Sequence, residues 1–161
     1  MRVSQFLTDE RITFEEMVHP PAYTSQKLAK FLHLTGRQVV KSILLTGPRG
    51  YFLAVLPAAQ WIDMARLHAH FNAPVRLATV EELCDLFQDC EWGAVLPFGG
   101  LYGMSTLLEA SIPAETMIVF EAQRHAIAIR MTCSDFVKLE KPVRFAFARE
   151  AKRPQPQPCA G

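Results

Sequence analysis

Three features of the chain have residue types and spacing that could do chemistry. The first is Lys41, which opens the apolar run Lys41-Ser-Ile-Leu-Leu-Thr46 and shares a face with Ile43 and Leu45. A lysine beside an apolar face either snorkels its ammonium back to water or reaches into a cleft, where it can bind an anion or polarise a carbonyl. The second is the loop Gly93-Ala-Val-Leu-Pro97-Phe98-Gly99-Gly100-Leu-Tyr-Gly103, with four glycines and one proline in eleven residues. Such a backbone adopts unusual dihedrals and can present N–H groups to a phosphate or a developing oxyanion, although plain connections use the same composition. The third is a scatter of pocket-type side chains: Tyr23, Thr24 and Ser25 after the Pro20-Pro21 pair, and His125 near the start of a strand. A cleft lysine facing an amide-rich loop makes a site for an anion or an ester without a metal.

Several other chemistries lack their motifs. The chain has no G-x-x-x-x-G-K-[ST], no G-x-G-x-x-G after a strand and no G-x-S-x-G elbow. His68 and His70 are two apart in a helical stretch, so they point to different sides and chelate poorly; no metal is expected.

The elements that must position these residues are legible in part. Ser4 is a candidate cap for a short first helix, and Ile12 to Val18 reads as extended up to His19-Pro-Pro. Thr24-Ser25 caps a helix carrying Leu28, Ala29 and Leu32 and ending at Gly36. Lys41–Thr46 and Tyr51–Leu56 flank Gly47-Pro-Arg-Gly50 as a hairpin, apolar on both faces and therefore central in a sheet. Ile62–Phe71 reads as a helix, Thr79-Val-Glu-Glu82 as a capping box opening another through Phe87, and Met117–Phe120 with His125–Met131 as a second hairpin. A short helix follows from Ser134, then a strand over Val143–Phe147. Hairpins interspersed with short helices predict an α+β fold, a mixed, largely antiparallel curled sheet with short flanking helices. Residues 1–148 form the expected domain, and 149–161, polar and Pro-rich, a disordered tail.

Composition sets the outer bounds. The 161 residues carry 17 Lys+Arg against 16 Asp+Glu, for a net charge of +1. That balance excludes an acidic solvating segment and a histone-like polycation, and leaves room for a local basic patch. A chain of this length buries about 70% of its unfolded surface and needs no disulfide or metal to hold a core. No run approaches the ~18 apolar residues of a membrane span, and the N-terminus lacks the layout of a secretory signal, so a cytoplasmic location is expected. Cys84, Cys90, Cys133 and Cys159 are read as reduced, Cys84 as a core thiol.

Taken together, His19-Pro-Pro-Ala-Tyr-Thr-Ser-Gln26, Lys41-Ser-Ile-Leu-Leu45, Ala54-Val-Leu-Pro57, Arg76-Leu-Ala78, Cys90-Glu-Trp-Gly93, Gly93-x-x-x-Pro97-Phe-Gly99 and His125 resemble the YbaK/ProX family over roughly residues 15–145. These are aminoacyl-tRNA editing domains related to the editing insertion of bacterial prolyl-tRNA synthetases. The resemblance implies hydrolysis of the ester of a mischarged tRNA in trans, without metal or cofactor, with the tRNA's 2′-hydroxyl helping to activate water. It assigns catalytic roles to Lys41, Gly93 and Pro97, and substrate contacts to Tyr23, Thr24, Ser25, Phe98, Gly99 and His125. The implied partners are mischarged tRNA and a synthetase, with no membrane. Lys27, Lys30, Arg37, Arg49 and Arg76 are candidate tRNA contacts. Two positions depart from the family pattern, Glu109 in place of an aspartate and the Gly-free segment Glu121-Ala-Gln-Arg-His125. Both are expected near the pocket, and they motivate an alternative reading, a module that binds aminoacyl-tRNA or a synthetase without chemistry.

Overall fold

The Gly47-Pro-Arg-Gly50 turn closes a hairpin of β2 (Val40–Gly47) and β3 (Gly50–Pro57), paired in register from Val40↔Pro57 to Gly47↔Gly50. The structure is a computed structural model and describes residues 2–150. The hairpin is buried on both faces. Val55 enters one cluster with Val40, Phe98, Leu108 and Phe136, whereas Ala54 and Leu56 enter another with Leu45, Leu67 and Phe147. It accordingly takes the centre of a five-stranded sheet of order β5-β2-β3-β6-β9, with β5 (Arg76–Leu77), β6 (Ser105–Glu109) and β9 (Val143–Phe145). The β3–β6 and β6–β9 pairings are parallel and the other two antiparallel, which makes the sheet mixed.

A second, antiparallel sheet has the order β1-β8-β7, from β1 (Glu15–Val18), β7 (Met117–Glu121) and β8 (Ile127–Thr132). It joins the first through the parallel bridge Val39↔Val119, where the Val119 amide donates to Gln38 O at 3.0 Å. A third ladder pairs β4 (Gln60–Ile62) with β10 (Ala148–Glu150). The last strand thus runs two residues past the boundary expected at 148, because Arg149 and Glu150 pair with Trp61 and Gln60. The remainder of the expected tail, 151–161, lies outside the described residues.

Helices sit at the edges. α1 is Arg2–Asp9, and α2 (Ser25–Phe31) starts where Thr24 Oγ1 accepts from the Lys27 amide. α2 stops well before Gly36, since Leu32 caps it and His33 turns left-handed at φ 54°. α3 (Met64–Phe71) begins later than expected. Asp63 caps it, and the preceding Gln60–Ile62 is taken by β4. The Thr79–Glu82 capping box opens α4 (Val80–Leu86), and α5 is Cys133–Glu140, capped by Thr132. Cys84 is exposed on α4, because that helix packs through Leu83 and Leu86 instead. Cys84, Cys90 and Cys133 are free thiols, and Cys159 lies outside the described residues. No helix among the described residues is long and apolar enough to cross a membrane.

Candidate active site

The start of β2, the segment leading into α2 and the first residues of the glycine loop enclose a hollow of about 170 Å³. Lys41, Tyr23, Thr24, Ser25 and Gly93 all line it, so five of the nine expected site residues meet there. The end of β7 supplies Phe120 and Glu121 as a further wall.

Lys41 is half-buried. Its ammonium donates to Ala58 O at 3.3 Å and sits 4.8 Å from the centre of the Trp61 ring. Desolvation holds its pKa below the usual lysine value. Gly93, at φ +83°, turns the chain in a conformation that strains any side chain. Gly93 and Val95 both line the hollow, and their amides have no internal hydrogen-bond acceptor among the described residues, whereas the intervening Ala94 amide donates to Glu91 O.

The second half of the loop behaves differently from expectation. Phe98 is fully buried against Phe6, Phe120 and Phe136 and cannot touch a ligand. Pro97 is buried and does not line the hollow. Gly99 donates its amide to Thr106 Oγ1 at 3.0 Å, and the Gly100 amide goes to Glu140 Oε1 at 2.8 Å. A Cβ on Gly99 would stand 2.6 Å from Thr106 Oγ1, so glycine is required there for packing and not for ligand access. Among the described residues of the loop that line the hollow, Gly93 and Val95 are the two whose amides have no internal acceptor.

His125 lies behind the hollow. Its ring packs against Tyr23 at a tilt of 48°, with centroids 4.8 Å apart. Nδ1 approaches Ala22 O at 3.1 Å, and Nε2 approaches Trp92 O at 2.5 Å. The imidazole thus sits between the wall carrying Tyr23 and the wall carrying Gly93, its single N–H when neutral serving one of the two carbonyls, and it is not among the residues lining the hollow, where substrate contact was expected.

Glu121 was not singled out from sequence, where the sole signal is an acid four residues before a histidine. Its Oε2 is 3.4 Å from His125 Nδ1, and its Oε1 is buried without a partner. Burial pushes this carboxyl up to about 7, against the opposing pull of His125. A folded-state value above the ordinary 4.5 favours the protonated fold. The associated stability is present below pH 4.5 and is lost as pH rises through about 7. Glu121→Gln, neutral at every pH, is expected to melt with the wild type at pH 4.5 and to be more stable by ~1–3 kcal/mol at pH 8.5. Thermal melts at the two pH values check this, and a difference independent of pH would refute it.

Of the two departures noted in the sequence, Glu109 and the Gln123 of the second segment serve elsewhere, whereas that segment's Glu121 lines the hollow. Glu109 Oε2 accepts from the Phe147 and Ala148 amides at 2.9 and 2.7 Å, anchoring the last strand. Gln123, at φ +65°, accepts from the Val3 amide and donates to Asp89 O, holding α1. Among the surface cations, Arg76 is taken up by Glu82 at 2.8 and 3.2 Å, and Arg37 lies 3.9 Å from Glu150. Lys27, Lys30 and Arg49 are exposed and meet no carboxylate among the described residues. His68 faces Val75 O and His70 stacks on Phe145, and the described residues bring no three His, Cys, Asp or Glu together as a metal site.

A family model described as the aminoacyl-tRNA editing domain matches residues 19–139, a span containing every residue of the hollow. The chain belongs to the aminoacyl-tRNA editing domain family. Curated relatives of this editing domain include the proline–tRNA ligase of Kosmotoga olearia, 34% identical over 92 residues, and that of Thermosipho africanus, 27% identical over 92 residues. Each match covers 56% of the chain but only 15% and 16% of the ligase. Among solved structures, a hypothetical protein superposes with a TM-score of 0.84 at 16% identity, covering 92% of this chain and all of the other. A candidate trans-editing enzyme for prolyl tRNA synthetase superposes at 0.79 and 20% identity, covering 93% of this chain and 96% of that one. The mixed α+β architecture of the editing domain is thus that of these neighbours.

Proposed function

We propose that this editing domain is a free-standing, metal-independent aminoacyl-tRNA deacylase acting in the cytoplasm. The observation that carries the reading is the juxtaposition, around one hollow of about 170 Å³, of Lys41 with Gly93 and Val95, whose amides have no internal acceptor among the described residues. Water attacks the ester carbonyl carbon and the bond to the terminal ribose oxygen breaks, leaving free amino acid and uncharged tRNA. The Gly93 and Val95 N–H groups stabilise the oxygen that becomes negative, and Lys41 anchors the adjoining phosphate or carbonyl. The tRNA's own 2′-hydroxyl assists the attacking water, and the hollow contributes placement. Its size admits a small amino-acid side chain, a second sieve for an error that one methylene, worth only ~1–3 kcal/mol, leaves to the synthetase. The family tie to proline–tRNA ligases makes a mischarged tRNA of that synthetase the first substrate to test.

Of the departures that motivated a binding-only module, Glu109 and Gln123 hold backbone away from the hollow, whereas Glu121 of the second segment lines it. The test is release of amino acid from a panel of mischarged tRNAs. Turnover is expected for at least one member and is expected to persist in EDTA. A tRNA ending in 2′-deoxyadenosine is expected to react roughly a hundredfold more slowly, the usual weight of one lost proton-handling or hydrogen-bonding group. Tight binding without release of any amino acid would replace the deacylase reading with the binding module.

A further inference from the structure

The chain has two tryptophans, Trp61 and Trp92, and both are exposed, 51% and 66%. Tryptophan is a costly residue to leave in water, and its amphipathic ring is enriched where something else covers it. Their placement is not scattered. A hollow of about 120 Å³ at Trp61 shares Thr24, Ser25 and Lys41 with the central hollow. A third hollow, of about 160 Å³ at Trp92, shares Gly93 and Val95 with the central one. Through these shared lining residues the three adjoin in a row, or trough, with Trp61 lining one outer hollow, Trp92 the other, and Lys41 lining the central one and the Trp61 one. Tyr23, 70% exposed and backed by His125, adds an aromatic face to the middle.

We infer that Trp61 and Trp92 are stacking platforms for the unpaired nucleobases that flank the ester in the trough. The inference rests on the deacylase reading for what lies between the platforms, but its ligand is the single strand itself. A single-stranded end offers bare π-faces that a duplex hides, and aromatic side chains beside cations hold such strands with little regard to sequence. The cations are in place: Lys41 beside Trp61, and Lys27 and Lys30 exposed along α2 next to the shared wall. Stacking on Trp61 also covers the ring that carries the Lys41 ammonium, which removes water from around that charge.

The experiment titrates the full chain with a single-stranded hexaribonucleotide and, separately, with a blunt RNA duplex, following tryptophan fluorescence. Saturable quenching by the single strand and not by the blunt duplex is expected. Trp92→Ala and Trp61→Leu are each expected to bind the single strand about tenfold or more weakly, and to raise KM for charged tRNA correspondingly. Trp92→Phe and Trp61→Phe are expected to restore most of the affinity, which a loss of folding would not allow. Trp92 does not touch Lys41, so its variant separates stacking from any disturbance of the lysine. Equal binding of wild type and both truncated variants, or equal quenching by the duplex, overturns the platforms. If charged tRNA is deacylated with unchanged KM by the variants, the platforms fall and the deacylase stands. If the strand binds through both tryptophans and no ester is cleaved, the deacylase falls and the platforms stand.

Discussion

Lys41→Ala is expected to lower kcat/KM for deacylation by about 10²–10³, the loss that follows removal of a single donor aimed at developing charge, roughly 3–4 kcal/mol. The side chain's position makes the size of this effect reasonable. Its ammonium holds one internal acceptor, Ala58 O, at the long distance of 3.3 Å, and burial already disfavours its charge. It is therefore under-satisfied and gains from an incoming oxyanion or phosphate in a setting where water competes poorly. Lys41→Arg is not expected to rescue, because a planar guanidinium needs more room than an ammonium between Ala58 and Trp61. Single-turnover release of amino acid, wild type against the two variants, is the measurement. Because Lys41 is half-buried and makes no ion pair among the described residues, Lys41→Ala should melt close to the wild type, so lost activity reports on chemistry. Rates within threefold of wild type would remove Lys41 from the mechanism.

The largest stability effect is expected at Glu109. It is 3% exposed, and one carboxyl oxygen accepts from two consecutive amides, Phe147 and Ala148. Glu109→Ala leaves both N–H groups buried and unpaired, at about 1–3 kcal/mol each, so a loss of about 3–5 kcal/mol is expected. That is a large share of the 5–15 kcal/mol that typically separates folded from unfolded domains. Urea denaturation measures it, with Glu109→Gln falling between, since its amide oxygen can still accept. The consequence reaches the site. Ala148 begins β10, β10 pairs with β4, and β4 carries Trp61 against Lys41. A Glu109 variant that unfolds at the wild-type urea midpoint would mean that the last strand is held by packing of Phe147 alone.

Local chemistry by itself determined much of the framework. The Gly47-Pro-Arg-Gly50 turn, the Thr24 cap and the Thr79–Glu82 box each act through neighbours a few residues away, and each element appears where its signal stands. The central place of the β2–β3 hairpin follows from its two apolar faces. The order and spacing of the motifs from His19–Gln26 through Lys41–Leu45 and Gly93–Gly99 to His125, taken together, suggested a common site and a family.

What only the tertiary structure decided was how long-range partners spend shared groups. The β6 strand Ser105–Glu109 has no alternation to reveal it, because a parallel strand buried on both faces shows none. The glycine loop reads as one ring of donors, yet Thr106 and Glu140 consume the amides of Gly99 and Gly100 and the aromatic core takes Phe98. Glu109 and Gln123 look like pocket residues by their place in the order, but backbone amides up to 120 positions away claim them. Glu121 carries no local mark of its setting, because its unusual proton affinity comes from desolvation by chains that meet only in the fold. A hydrogen-bonding group's type is written in the chain, whereas its availability depends on which distant partner reaches it first.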